Sequence, residues 1–445
     1  MSDTDQPHRW LEGQTVTGRI VALDGAEGVT DDGLFVAGVF PPERVEARVL
    51  HIGKRKGRKP RAHGKPLRIL ERHPHRRLTP CPNARRPEAP RQGGHCDGCP
   101  LMALEEGAQR ELKRESLRRD HGLEVGAVHA APSPFGYRLS SKRVAFGGPG
   151  RLALGSWQRG THKPATMDGC MVDHPRIAAA MDAIGRLSRE LGIPAYDERK
   201  GTGVLRYVWA KTDGERVLVT LVSATDERAP MQAIADGLRE AEGVAWSIQR
   251  CAGNTMRGGT PIALRGPQKL SVPVGERLVE VGPDGFLQPN PAAIDEAARA
   301  LLADAEGNAL TGARAFDLYA GAGLTTDRLR RSFETVEACE LHPEGAAALG
   351  VEPQSAEDFL AKRVADEAPA LVIANPPRAG MGRAVCDHLL AIGAPRVHLM
   401  SCGPAGLARD LAHLAAGYEV DRIEAWDTLP QTPHVELVAW LRRRA

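Results

Sequence analysis

Cys402 closes an apolar run, HLMSC, immediately ahead of Gly403-Pro404 and a helix-patterned stretch. A cysteine at a strand end, facing the amides of a helix start, is placed to exist as a thiolate and to act as a nucleophile. Asn375 ends a second run in ALVIANPPRAG, and Glu436 stands at the head of a third in TPHVELVAWL. A cysteine, an amide and a carboxylate in one cleft would suit covalent catalysis with a separate base. A second constellation lies in FDLYAGAGLTT, residues 316–326, where Asp317 is followed by Gly321 and Gly323. Glycines at that point let backbone amides approach a ligand beyond the carboxyl end of a strand, where open α/β sheets bind cofactors. The next run ends in an acid, Glu340 of ACELHPEG, which could accept hydrogen bonds from a ribose diol. Asp317, Gly321, Gly323 and Glu340 read as an S-adenosylmethionine pocket, because the G-x-G-x-x-G fingerprint of dinucleotide folds is absent.

Four more cysteines form a separate group. Cys81, Cys96 and Cys99 sit in CPNARRPEAPRQGGHCDGCP, and Cys170 in MDGCMVDHP. Four thiolates among Gly and Pro turns suit either Zn²⁺ or an iron–sulfur cluster, and spacing alone does not separate the two. Disulfides are not expected in a cytosolic chain of this size. Cys251, Cys339 and Cys386 have no such setting and are expected to pack in the interior.

The elements that must position these groups fall into three stretches. At 445 residues the chain exceeds one ordinary domain. Residues 8–72 alternate short β-type runs with Gly and Asp-Gly turns, the pattern of a small antiparallel, OB-like barrel. Residues 73–275 mix strands with covering helices, an α+β domain, and a helix over 101–120 may pack on the catalytic part. Residues 276–445 alternate strands and helices as a doubly wound, mostly parallel sheet does. Apolar residues at 42% and charged residues at 26% argue against wholesale disorder. No apolar run is long enough to cross a membrane, and MSDTDQPHRW lacks the features of a signal peptide, so the expectation is a cytoplasmic protein with no membrane partner. The net charge of +3 conceals an asymmetry: residues 51–80 hold eleven Lys or Arg against one acid, Glu71. Such a block, interrupted by Gly and Pro and set between ordered-looking segments, is the electrostatic footprint of a phosphate-backbone partner.

The ordered series of motifs resembles the RNA uracil-C5 methyltransferases that carry a TRAM domain and a 4Fe–4S cluster, with the bacterial 23S rRNA enzymes most similar. The resemblance runs from about residue 14 to the C-terminus through LFVAGVFPPERVEARV, the four-cysteine set, FLQPN, FDLYAGAG, NPPRAG, SCGPAGLARDL and HVELVAWL. It implies a class I methyltransferase sheet, an N-terminal TRAM barrel and a central domain with an iron–sulfur loop. It further implies Cys402 as nucleophile, Glu436 as the base that removes a proton, and Gln288, Tyr319, Glu340 and Asn375 at the cofactor. Cys81, Cys96, Cys99 and Cys170 would hold the cluster. The expected partner is RNA, rRNA rather than tRNA, bound by a monomer. The chain departs from the family in three places: the 14-residue spacer between Cys81 and Cys96 is long, Asn375 stands for a usual Asp, and Gly403 for a usual Asn.

Two other readings compete. NPP followed by an aromatic residue marks amino-group methyltransferases of the adenine N6 type, but Arg378 stands at the aromatic position and N-methylation leaves Cys402 and Glu436 without tasks. The Asn375 and Gly403 departures also fit a non-catalytic RNA-binding protein on a methyltransferase scaffold.

Overall fold

The computed structural model describes residues 10–55, 58–86, 95–148, 150–159, 161, 163–251, 255–274 and 277–445, without the side chains of 54–59. The chain divides into two units. The first comprises residues 1–112, 153–170 and 431–433; the second comprises 113–152, 171–430 and 434–445.

In the first unit, strands Thr15–Asp24, Glu27–Thr30, Phe35–Ala37, Arg44–Arg55 and Arg58–Glu71 form a closed barrel, in which the last two exchange places in the spatial order. Period-two alternation drives the first strand, whose Gly18, Ile20 and Leu23 point inward between exposed neighbours. Asp24 pairs with Glu27 across a two-residue turn, with Gly25 at φ +62°. Ile20, Leu34, Val36, Val45 and Val49 fill the interior. A buried ion pair seals one end: Arg76 Nε lies 2.5 Å from Glu43 Oε1, and Glu43 Oε2 accepts a hydrogen bond from the Phe40 amide. Much of the basic block therefore lies on a paired hairpin, with Arg48 opposite Lys65 and Gly53 opposite Arg61. Lys56 and Gly57 lie outside the described residues.

Two sheets organise the second unit. Strands Ile262–Arg265, Gly243–Ile248, Val217–Ser223, Leu205–Thr212 and Ser140–Phe146 lie side by side in that order. Helix Pro175–Glu190 packs against the third and fourth of these strands and helix Arg228–Gly237 against the first. The other sheet runs Phe333–Cys339, Gly312–Leu318, Leu371–Ala374, Arg396–Ser401, Glu436–Arg443, Tyr418–Trp426, Val128–His129. Its first four strands are mutually parallel, and Glu436–Arg443 slots in antiparallel beside Arg396–Ser401. Of the parallel strands, Leu371–Ala374 is wholly buried and apolar on both faces, with helix-bearing core packed on each side of the sheet. This is the kind of α/β sheet that the sequence resemblance implies. Helix Glu106–His121 begins five residues later than the predicted 101–120, and its Leu117 joins the core of this sheet. Among the described residues no helix is long and apolar enough to cross a membrane.

Candidate active site

Sheet register brings two of the candidate residues to one end of a ladder. The ladder between Arg396–Ser401 and Glu436–Arg443 pairs Arg396 with Arg442 and ends with Ser401 opposite Leu437. Cys402 follows the last residue of the first strand and Glu436 opens the second, so both sit at the carboxyl edge of the parallel strands although 34 positions apart in sequence. Cys402 is half-buried and leads into helix Pro404–Leu414.

Glu436 is 6% exposed. Burial pushes its carboxyl up to about 8, and the nearby positive charge of Arg378 opposes that rise. A carboxyl poised near neutrality can take a proton and return it within one cycle. Asn375, exposed at the end of Leu371–Ala374, donates its amide N–H to the Leu318 carbonyl 3.2 Å away. Residues 376–380 then pass close to the helix that follows Cys402. A Cβ on Gly403 would lie 2.3 Å from the Arg378 carbonyl oxygen, and one on Gly406 would lie 2.7 Å from the same atom. This close approach gives a physical reason for glycine where the family usually has Asn.

The loop after Gly312–Leu318 turns on left-handed residues. Tyr319 adopts φ +58°, a left-handed conformation costly for a bulky side chain, and Gly321 and Gly323 follow at +57° and +92°. The Ala320 amide bonds the Cys339 carbonyl at 3.0 Å, so the loop is pinned to the neighbouring strand. Glu340 braces it, accepting from the Gly321 amide at 2.8 Å and the His342 amide at 2.6 Å. A Cβ on Gly345 would lie 2.8 Å from Glu340 Cγ, a constraint with no recognisable signal in LHPEG. Asp317 faces inward. It is fully buried and accepts from the hydroxyls of Thr325 at 2.8 Å and Thr326 at 2.6 Å, while burial pushes its carboxyl up to about 6. Its observed task is therefore to hold the start of helix Thr326–Ser332. Gln288 is half-buried in the segment before helix Pro291–Ala300. The next Asn, Asn290, caps that helix and donates to the Thr428 carbonyl at 3.0 Å.

One contributor had no sequence signal. Lys113 donates to Asp427 Oδ1 at 2.5 Å and to the His434 carbonyl at 3.2 Å, both partners more than 300 residues away. This buried ammonium anchors the chain two residues before Glu436.

The other four cysteines all lie in the first unit. Burial raises the Cys81 thiol, the amides of Asn83 and Ala84 pull it back, and Cys96 beside it raises it further. The Gly98 amide donates to Cys96 Sγ at 3.4 Å. Asn83 joins the segments: its carbonyl accepts from the Cys96 amide at 2.6 Å, and its side-chain Nδ2 donates to the Asp168 carbonyl at 2.6 Å, two residues before Cys170. Amides aimed at sulfur fit thiolates that bind a metal group. The sulfurs are not gathered at ligand spacing: among the described residues no three His, Cys, Asp or Glu side chains are placed to hold a metal ion. Cys339 and Cys386 are buried packing residues, as expected. Cys251 is exposed and does not pack in the interior, a correction that follows from its place just past the strand Gly243–Ile248.

The model of the tRNA (uracil-5-)-methyltransferase family matches residues 360–444. An uncharacterized RNA methyltransferase of Gloeobacter violaceus is 32% identical over 98% of both chains. One of Geobacter sulfurreducens is 31% identical over 96% of this chain and 89% of its own. Among solved structures, the tRNA (uracil-54, C5)-methyltransferase of Pyrococcus abyssi in complex with S-adenosyl-L-homocysteine superposes with a TM-score of 0.73. It is 23% identical, over 96% of this chain and 100% of that one, a likeness of fold.

Proposed function

Because this chain belongs to the RNA uracil-5 methyltransferases, we propose that it methylates C5 of a uridine in RNA, with S-adenosylmethionine as donor and Cys402 as a transient covalent partner. The observation that carries the reading is that Cys402 and Glu436 come to the same end of one strand ladder, which closes with Ser401 opposite Leu437.

Uracil C5 is too weak a nucleophile to attack a sulfonium methyl directly. Addition of the Cys402 thiolate to C6 turns the ring into an enolate with carbanion character at C5. That carbon takes the methyl group and S-adenosylhomocysteine departs. Glu436, held ionisable near neutral pH and faced by Arg378, removes the C5 proton, and the electron pair left behind restores the double bond as the thiolate leaves C6. The loop of Tyr319, Gly321 and Gly323 with Glu340 would seat the cofactor, joined by Gln288 and Asn375. A base paired in a helix is out of reach, so the target lies in a loop or is flipped out.

The five-stranded barrel serves as the TRAM domain in this reading, its basic hairpin gripping phosphates without reading bases. Cys81, Cys96, Cys99 and Cys170 would draw together on a 4Fe–4S cluster, a structural group that ties their segments and supplies no step of the methylation. The motif order carries rRNA over tRNA as the substrate. Mapping 5-methyluridine in rRNA and tRNA from cells with and without the gene tests this. The expected result is an rRNA uridine that loses its methyl group; loss at a tRNA uridine would move the target, and loss at neither would refute the reading.

A further inference from the structure

On the sheet that includes Leu205–Thr212, cations collect around one indole. Trp209 pairs with Lys142 on one side and Thr220 on the other. Lys142 Nζ sits 4.0 Å from the ring centroid, and Arg257 and Lys211 each lie at 5.9 Å. Trp209 and Thr220 line a recess open to solvent, with Arg257 and Asp284 at its rim. Trp209 is 5% exposed, and its Nε1 donor has no partner among the described residues.

The three cations are not equivalent. Lys211 is buried and spends its ammonium on the carbonyls of Gly282, Pro283 and Gly285, fixing the rim that carries Asp284. Lys142 and Arg257 are exposed, Arg257 lining the recess and Lys142 lying over the Trp209 ring. Burial disfavours the charge on Lys142, and the guanidinium of Arg257 disfavours it further. Lys142 and Arg257 repel each other, while the carboxylate of Asp284 acts on Lys211. An anion between Lys142 and Arg257 would relieve that repulsion.

We propose that this recess is a subsite for a phosphodiester of the RNA substrate, gripped by Lys142 and Arg257 above the Trp209 indole. The inference rests on the RNA reading above and extends it to a second contact surface, distinct from both the barrel hairpin and the Cys402 edge. A phosphate shared by an exposed guanidinium and an exposed ammonium suits a strand passing over the recess, since neither cation is enclosed. Arg257 supplies the fork geometry that phosphate oxygens match, and Lys142 a point charge.

The test uses the full chain and a labelled oligouridylate, with affinity measured by anisotropy across a salt series. K142Q combined with R257Q should weaken binding about tenfold at 0.15 M salt and flatten the log–log salt slope by about one, as loss of one or two single-strand phosphate contacts does. Titration with S-adenosylhomocysteine, which should be unchanged, shows that the variant is folded. Unchanged oligouridylate affinity and slope in that folded variant would overturn the proposal. So would displacement of oligouridylate from the native protein by millimolar inorganic phosphate or by polyglutamate, which would assign the recess to a free anion or an acidic protein. Because the readout is binding, a protein that fails to methylate uridine yet loses oligouridylate affinity in the variant keeps the subsite and refutes only the methylation reading.

Discussion

Sulfur is handled in opposite ways by the loops of the first unit and by the sheet edge of the second. Around Cys81 and Cys96 the backbone aims amides at the sulfurs, and Asn83 knots the surrounding turns. At the sheet edge Cys402 follows its strand half-buried, and at the same end of the ladder Glu436 is a buried carboxyl to which no described residue donates a hydrogen bond. Within that same sheet Cys339, the buried last residue of its strand, has its thiol pushed up to about 12 by burial. Sulfur in the loops is surrounded to be held, sulfur in the core is silenced, and sulfur at the edge is left able to react. Position in the fold, more than residue type, assigns the three roles.

The sharpest way to break this contrast is Cys402→Ala. Methyl transfer should fall by about 10⁴-fold or more, and no protein–RNA adduct should survive a denaturing gel, since without thiolate addition C5 never becomes nucleophilic. Substantial residual transfer would instead favour amino-group methylation at Asn375-Pro376-Pro377. Glu436→Gln should slow turnover by about 10²–10⁴-fold and trap a methylated adduct, visible as a shifted band with labelled RNA.

On the other side of the contrast, protein purified without oxygen should be brown with about four irons per chain. Cys96→Ser or Cys99→Ser should bleach it. A colourless preparation with stoichiometric zinc would keep the cysteines structural and remove the cluster.

Glu436 also carries a stability signature. Its folded carboxyl ionises near pH 8 whereas an ordinary one ionises near 4.5, so between those values the folded state holds one more proton than the unfolded. Stability should therefore fall as pH rises from about 5 to 8 and level off above. Glu436→Gln should lose that slope, gaining roughly 1–3 kcal/mol relative to the native protein at pH 8, measurable by denaturant melts. The smallest effect belongs to Asn375→Asp. Asn375 is exposed and either side chain offers an acceptor oxygen, so turnover should change within about tenfold. A gain of several orders of magnitude would mark the chain as catalytically impaired.

Strand patterning made the parallel strands legible, because runs such as ALVIA and RVHLMS are apolar on both faces. The strand Tyr418–Trp426 escaped notice since YEVDRIEAW carries four charges, two of them, Asp421 and Arg422, on exposed positions beside the apolar partner Glu436–Arg443. Cys402 and Glu436 were visible as strand-end residues, but their arrival at the same end of one ladder depends on a register that no local pattern encodes. Lys113 and Gly345 were invisible for the same reason: their importance arises from partners brought near by the fold. Asp317 was visible as a polar residue at a strand end, yet its inward turn toward Thr325 and Thr326 depends on the loop's path.

The missing side chain at Gly403 has a consequence for how this chain can diverge. With the Arg378 carbonyl 2.3 Å from where a Cβ would stand, position 403 and the stretch 378–380 share one volume. Restoring Asn at 403 alone would drive that stretch away from the helix and carry Arg378, the counter-charge of Glu436, with it. Substitutions at these two places should be tolerated as pairs and rejected singly, so that two motifs separated along the chain drift through sequence space as a single inherited unit.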